Sequence, residues 1–462
     1  MTDAAGIRVV AIADADSFVK WTAALLGGVP GLRAHVLLVR TPLTASDAQQ
    51  RTAIAGTGLR AEDVTRIGFA ETAGWLEGQR PDVVLLAGRG PFVRLMGRVI
   101  DSLTHRPVTV SGLPGMAIPA QRGALDYRRH TDLLVVHSHR EERAFAELGE
   151  RIGVSMPTAL ATLPFARRRA RMLRPDRVRV DAVSARPGGV AVAERPQPPV
   201  AVRPPATDIV FAAQALVPVA HEERAEIAAT LVRAAEADPS RRVVVKLRSR
   251  PGEAETHLER DPYTAMLPSR RPRNLVFSYD SMASALESAA GLVTVSSTAA
   301  IEATALGVPV IALDSFGVNK SLLNTVFVGS GLLGGRNEVV AGRFRHPHPD
   351  WLRDNYFHPE AESNWWERVQ ELVAMRRSGA LPHRRVPAAR GGALHEAWHR
   401  ASVLGREDRS LGGALALTVG APATRMLSAV RRRREPPDGG TWADPSTDFT
   451  LEPNPFQDSI RR

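Results

Sequence analysis

Short β-branched apolar runs alternate with helix-period segments along most of this 462-residue chain, and that alternation constrains the fold more than any other feature. Residues 8–13, 35–40, 82–87, 108–111 and 133–137 are brief, nearly continuous apolar runs bounded by Gly, Pro or Asp. A strand that is apolar on both faces must be buried on both. Between them, 17–26, 90–103 and 140–148 carry the 3.6-residue period of helices. Such alternation predicts right-handed crossovers and an open, mostly parallel sheet. The pattern breaks at 184–207, where six prolines predict a semi-rigid linker. It then restarts, with strands over 209–212, 242–247, 275–277, 292–295 and 309–313 and helices over 222–237, 281–289 and 299–305. Further helical segments follow at 364–378 and 393–403. The expected fold class is therefore α/β, with two Rossmann-like, doubly wound parallel-sheet domains facing a cleft. Their expected bounds are 1–183 and 208–405, the second ending in closing helices, with a basic, flexible tail over 406–462.

Composition narrows the function classes. With 44% hydrophobic and 24% charged residues the chain is ordinary globular material. It has no cysteine, which excludes thiolate metal sites, disulfides and cysteine nucleophiles. The net charge of +11 is concentrated in two places. Residues 165–186 hold eight arginines against two aspartates, and 425–434 hold five arginines and no acid. The rest is near neutral, so no nucleic-acid partner is expected. The arginine runs fit either peripheral contact with the inner face of the membrane or plain charged linkers. Residues 411–419 are too few to span a bilayer, and no signal peptide is apparent at the start. A cytoplasmic location, peripheral at most, is the expectation. Neither G-x-G-x-x-G after the first strand nor a P-loop is present, which weakens dehydrogenase and P-loop readings.

The most informative run is LVTVSSTAAIEATALGVPVIAL, residues 292–313. A buried strand ends at Val295; Ser296, Ser297 and Thr298 then open a helix bearing Glu302. Hydroxyls and backbone N–H groups at a helix start suit a phosphate, or they simply cap the helix. Upstream, Lys246 and Arg248 close the strand RRVVVKLRSRP. Two residues apart on a strand, they point to one side and form either a phosphate-neutralising pair or an ordinary charged strand end.

The run SSTAAIEATALGVPVIAL resembles the donor segment of GT-B-fold glycosyltransferases. More narrowly, it resembles the bacterial capsule and polysialyltransferase-like branch and, with DSFGVNKSLLNTVFVGSGL after it, an actinobacterial glycosyltransferase family. The resemblance implies a donor domain after the linker and an acceptor domain before it. It makes Ser296, Ser297, Thr298, Glu302, Lys246 and Arg248 donor-binding residues. Arg248 stands where that branch carries histidine, a departure that bears on the nucleotide. The implied partners are a nucleotide-sugar donor and a glycan or lipid-linked acceptor.

Sugar transfer with inversion needs a group to take the acceptor's proton. Asp14 and Asp16 follow the first strand, where α/β sheets place ligands, and either is a candidate base or a cap for the next helix. His137, at another strand end, is a third candidate or a bystander. Lys20, Gly112, Gln121, Asp314 and Lys320 are expected to line the acceptor site or the cleft, Asp314 and Lys320 from the domain after the linker, and residues 355–359 pack against a nucleobase or seal the C-terminal helix. Asp14-Ala-Asp16 spells DxD, but its place suits a capped loop better than a metal site. No zinc-ligand spacing is present, so neither metal nor cofactor is expected. The expected activity is metal-independent transfer from a nucleotide sugar to a cell-surface glycan. A same-fold epimerase, a polyol-phosphate polymerase and a non-catalytic binder are the alternatives.

Overall fold

The computed structural model describes residues 6–166, 206–247, 259–382, 386, 392–408 and 410. Arg248, most of the proline-rich stretch, both arginine runs and 411–419 lie outside the described residues.

In the first half, strands β1 (Val9–Ala13), β2 (Ala34–Val39), β3 (Val64–Ile67), β4 (Val83–Leu86), β5 (Val108–Gly112), β6 (Leu133–Val136) and β7 (Thr158–Leu160) form one parallel sheet. Its order is β3-β2-β1-β4-β5-β6-β7. Helices α1 (Asp16–Leu26), α2 (Asp47–Ile54), α3 (Phe69–Gln79), α4 (Gly90–Asp101), α5 (Arg122–Asp126) and α6 (His139–Ile152) cross between the strands. Every residue of β1, β4, β5 and β6 is buried, as continuous apolar runs require.

The second half repeats the plan. Strands β8 (Asp208–Ala212), β9 (Val243–Lys246), β10 (Leu275–Ser278), β11 (Ala289–Thr294), β12 (Val310–Leu313) and β13 (Leu333–Gly334) are ordered β10-β9-β8-β11-β12-β13, all parallel. Their helices are α7 (His221–Ala237), α8 (Tyr263–Met266), α9 (Met282–Glu287), α10 (Ala299–Ala305), α11 (Arg336–Val340) and α12 (Pro349–Asp354). The expected fold class holds: two doubly wound α/β sheets. No helix among the described residues is long and apolar enough to cross a membrane.

Elements without an apolar signature escape the sequence pattern. β3 is a partly exposed edge strand, β7 and β13 are three and two residues long, and α2 buries only Ala53 and Ile54 of its eight residues.

The last two helices, α13 (Trp365–Arg377) and α14 (Gly392–Leu404), follow the second sheet in sequence but cover the first in space. Trp365, Val369 and Val373 join a core with Val108 and Leu133, while Val403 and Leu404 pack with residues of β4 and α4. Asn364 anchors the return: its N–H donates to the Leu160 carbonyl (3.0 Å) and its side-chain oxygen accepts from the Leu160 N–H (2.9 Å), completing the edge of β7.

Candidate active site at two facing switch points

In each sheet the strand order reverses once, between β1 and β4 and between β8 and β11. Crevices of doubly wound sheets lie at the carboxyl ends of those strands. Asp14 and Ala15 follow β1, Gly88 and Arg89 follow β4, Gln214 follows β8 and Ser296 follows β11. Each switch point therefore carries polar groups.

At the first, Asp14 is 1% exposed and its Oδ1 has no hydrogen-bond partner. Burial pushes its carboxyl up to about 6, against the opposing pull of the Arg89 charge, its own backbone and the Thr41 hydroxyl. Asp16 does not cap α1: Ala15 holds the N-cap with no side-chain bond, and Asp16 sits half-buried in the first turn. The backbone geometry alone starts this helix.

At the second, the Gln214 side chain bridges the crevice. Its Oε1 accepts from the Ser296 N–H (2.9 Å) and the Thr294 hydroxyl (3.4 Å), and its Nε2 donates to the Ser296 hydroxyl (3.2 Å). The Ser297 N–H donates to the Thr294 hydroxyl (3.0 Å), and the Ala299 N–H to the Ser297 hydroxyl (3.2 Å). Thr298 is the N-cap of α10 without a side-chain cap bond. The picture of a helix start with spare N–H groups needs correction. Three of the turn's amides already have acceptors, and α10 has only seven residues, so hydroxyls carry more of any anion contact than backbone does. Lys246 ends β9 on the same edge, 8% exposed, its Nζ donating to the Leu247 carbonyl.

The two crevices approach each other. Lys20, on α1, lies 4.0 Å from Glu302 on α10. A methyl group added at Gly115, in the loop after β5, would lie 3.0 Å from the Thr298 Cγ2. Pro164–Ala166, a single 3-10 turn, packs through Ala166 in one core with Ala299 and Ala300 of α10. Lys20 and Glu302, predicted on opposite walls, are thus brought together. Gln121, at the N-cap of α5, is half-buried nearby in sequence to that loop.

Two predicted site residues turn out to be framework. His137 is fully buried; its Nε2 accepts from the Trp21 indole N–H (2.8 Å) and its Nδ1 faces the Ala161 carbonyl (2.8 Å). With one ring nitrogen donating and the other accepting, the imidazole is a neutral strut and not a base. Gly112 is buried beneath the same indole: a Cβ there would sit 2.4 Å from the Trp21 ring, so close packing accounts for the glycine. Its carbonyl, with that of Gly88 and the Ser111 hydroxyl, accepts from Arg128, a buried guanidinium whose pKa desolvation lowers to about 10. Asp314 closes β12 half-buried, its carboxyl raised by burial, and Lys320 is buried in the turn beyond it. Asn324 organises that turn, accepting from the Asn319 N–H and donating to the Leu313 and Gly317 carbonyls. Asn355, Tyr356 and His358 are buried, on the side of packing rather than base contact; Tyr356 donates to Glu141 (2.8 Å).

Sequence reasoning missed Thr41, Arg89 and Gln214. Gln214 had a usable signal. It follows the first strand of the second sheet just as Asp14 follows the first strand of the first. Gln214→Ala leaves the Ser296 N–H without its acceptor, so unfolding stability is expected to drop by about 1–2 kcal/mol in a denaturant titration. Gln214→Glu keeps the acceptor and is expected to recover most of that loss.

The family described as "Putative glycosyltransferase (DUF6716)" matches residues 9–372. No curated protein matches the sequence closely. Among solved structures, a putative UDP-N-acetylglucosamine 2-epimerase from Listeria monocytogenes aligns with a TM-score of 0.52 at 11% identity, covering 83% of this chain and 100% of its own. The UDP-GlcNAc 2-epimerase of Methanocaldococcus jannaschii, in complex with UDP-GlcNAc and UDP, gives 0.49 at 12% identity over 79% of this chain and 99% of its own. Phytolacca americana UGT2, complexed with UDP-2fluoro-glucose and pterostilbene, gives 0.42 at 11% identity over 79% and 94%. The Listeria likeness shows the shared two-sheet fold.

Proposed function

Since this chain belongs to the family described as "Putative glycosyltransferase (DUF6716)", we propose that it transfers a sugar from a nucleotide-sugar donor to a glycan or lipid-linked acceptor of the cell surface, without a catalytic metal. The observation that carries this reading is the meeting of the two switch points. Lys20, on the helix that follows Asp14, reaches Glu302, on the helix that follows Ser296–Thr298. A molecule lodged between them touches groups from both sheets at once.

In this scheme the hydroxyls of Ser296, Ser297 and Thr298 hold the donor phosphates, and Lys246 and Arg248 offset the charge of the leaving nucleotide. Lys20 exchanges Glu302 for the phosphate. Asp14 takes the acceptor's proton: it is a carboxylate above about pH 6, and an acceptor hydroxyl supplies the partner that its Oδ1 lacks. Because Asp14 is 1% exposed, this step requires a movement that admits the acceptor to it before closure excludes water. The serine-rich run's likeness to the capsule branch supports a cell-surface glycan as acceptor.

The test is a thermal-shift screen with CMP, UDP and GDP, followed by assays of sugar-nucleotide turnover. At least one nucleotide is expected to raise the melting temperature, and Ser297→Ala with Lys246→Ala is expected to weaken its binding at least about tenfold. No shift with any nucleotide, or unchanged affinity in the double variant, overturns the site. Binding without turnover points to a non-catalytic binder, and a free epimerised sugar nucleotide points to an epimerase.

A further inference from the structure

A second polar cluster lies on residues that the proposed transfer does not use. His139 is the first residue of α6; His358 and Glu362 belong to the segment between α12 and α13, Glu362 in the 3-10 turn Glu360–Glu362. One ring nitrogen from each histidine and a carboxylate oxygen of Glu362 lie within 4.8 Å of one another. His139 Nε2 is 2.6 Å from the Glu362 carboxylate, its Nδ1 is 3.3 Å from Glu142, and the two imidazoles meet edge to face with centroids 5.4 Å apart.

The informative member is His358. It is 4% exposed, its Nδ1 faces the Pro359 carbonyl at 3.2 Å, the His137 carbonyl also lies beside the ring, and its Nε2 is buried without a hydrogen bond of good geometry. A buried imidazole nitrogen without a partner costs about 1–3 kcal/mol. An imidazole whose Nδ1–H points at a carbonyl while Nε2 is left over has the arrangement of a metal ligand with its orienting partner already in place. The His139 and Glu362 side of the cluster lies in a shallow, open surface depression lined also by Asp350, Arg353, Asp354 and Pro359. An ion can reach it from solvent, with room for a water as fourth ligand.

We infer that His139, His358 and Glu362 form a binding site for a divalent transition-metal ion of the imidazole-seeking class, Zn²⁺ above all. Two neutral imidazoles, one carboxylate and a water make a four-coordinate set. Tetrahedral ligands about 2.0–2.2 Å from zinc lie roughly 3.3–3.6 Å apart, so His139 and Glu362, 2.6 Å apart here, open to admit the ion while the wider spacings, up to 4.8 Å, close. As the ion enters, Nε2 of His139 turns from Glu362 to the metal and the ring proton sits on Nδ1, which faces Glu142.

The position suggests the purpose. α6 belongs to the first sheet's layer, yet successive residues of its first turns reach the second half of the chain. Arg140 donates to the Val326 carbonyl (3.1 Å), Glu141 accepts from Tyr356, and Arg143 holds Asp354 through two nitrogens (2.7 and 2.9 Å). A metal ion on His139, His358 and Glu362 adds one more tie along this seam, holding the segment before α13 against α6.

The experiment uses tag-free, metal-stripped full-length chain titrated with Zn²⁺ and Co²⁺, read by calorimetry and by cobalt visible absorption. One ion per chain is expected, with the bands of a four-coordinate site. His139→Ala and Glu362→Gln, both at least partly exposed positions, are expected to weaken binding about 100-fold or more while the fold is retained. His358→Ala is expected to do the same; should it fail to fold, the other two variants decide. Bound Zn²⁺ is also expected to slow amide exchange in 356–364 and the first turn of α6. Absence of one-to-one binding, or binding unchanged in His139→Ala, overturns the site. Binding that leaves exchange at the seam unchanged overturns its role as a tie.

Discussion

Asp14→Asn is expected to reduce sugar transfer by about 10²–10⁴-fold, the usual contribution of a positioned base, while making the protein more stable at neutral pH. Both effects have one cause. The Asp14 carboxyl is buried and pushed up from 3.8 to about 6. Below about pH 4 it is protonated in the folded and unfolded chain alike, and no penalty arises. Between about pH 4 and 6 the folded chain keeps a proton that the unfolded chain has released, so stability falls as pH rises. Above about pH 6 the whole cost is felt, about 3 kcal/mol from the two-unit rise, of which asparagine recovers a part because its own amide is also buried. Melting curves at pH 4, 6 and 8 are expected to show the variant gaining on the parent as pH rises and matching it near pH 4. The parent's kcat/KM is expected to climb through about pH 6, as a base active in its ionised form requires. Turnover within threefold of the parent would remove Asp14 from the chemistry.

Arg224→Leu is expected to be the most damaging single change to stability in the second half, about 3–5 kcal/mol. The guanidinium on α7 is 2% exposed and donates to the Asp261 carbonyl (2.8 Å), the Gln214 carbonyl (2.9 Å) and the Pro218 carbonyl (3.2 Å). It pairs with Glu259 and lies 4.3 Å over the Tyr263 ring. Removing it strands three carbonyls and a largely buried carboxylate. Lysine is not a substitute, because one ammonium cannot reach the partners of a planar fork and stack on the ring as well. Because Arg224 holds the backbone of Gln214, and Gln214 holds Ser296, the damage extends to the proposed donor site. Arg224→Lys, if it folds, is expected to bind nucleotide more weakly than the parent, read by calorimetry at a temperature where both are folded. Equal affinity would show that Ser296 keeps its place without Arg224.

The candidate site was partly legible. Asp14, Lys20, the serine-rich run and Glu302 were visible because each sits at a strand end or one turn into the next helix, and strand ends are where doubly wound sheets expose groups. His137 sits at such an end too, and there position misled. The strand LLVV before it gives no sign that Trp21, 116 positions away, occupies its ring nitrogen. Gln214 and Ser296 are separated by 82 positions, and their bond depends on β8 and β11 lying side by side. The cluster of His139 and Glu362 spans 223 positions, so no ligand spacing could announce it.

The sequence by itself determined the two parallel sheets, because apolar periodicity is local: it records which face of each strand and helix must leave water. The tertiary structure alone decided which strand ends became neighbours, that α13 and α14 cover the first sheet rather than the second, and which polar groups ended with partners or without. Those are outcomes of packing between distant segments. The hydrophobic effect that drives such packing has no direction, and the identity of the partner enters only when the surfaces meet.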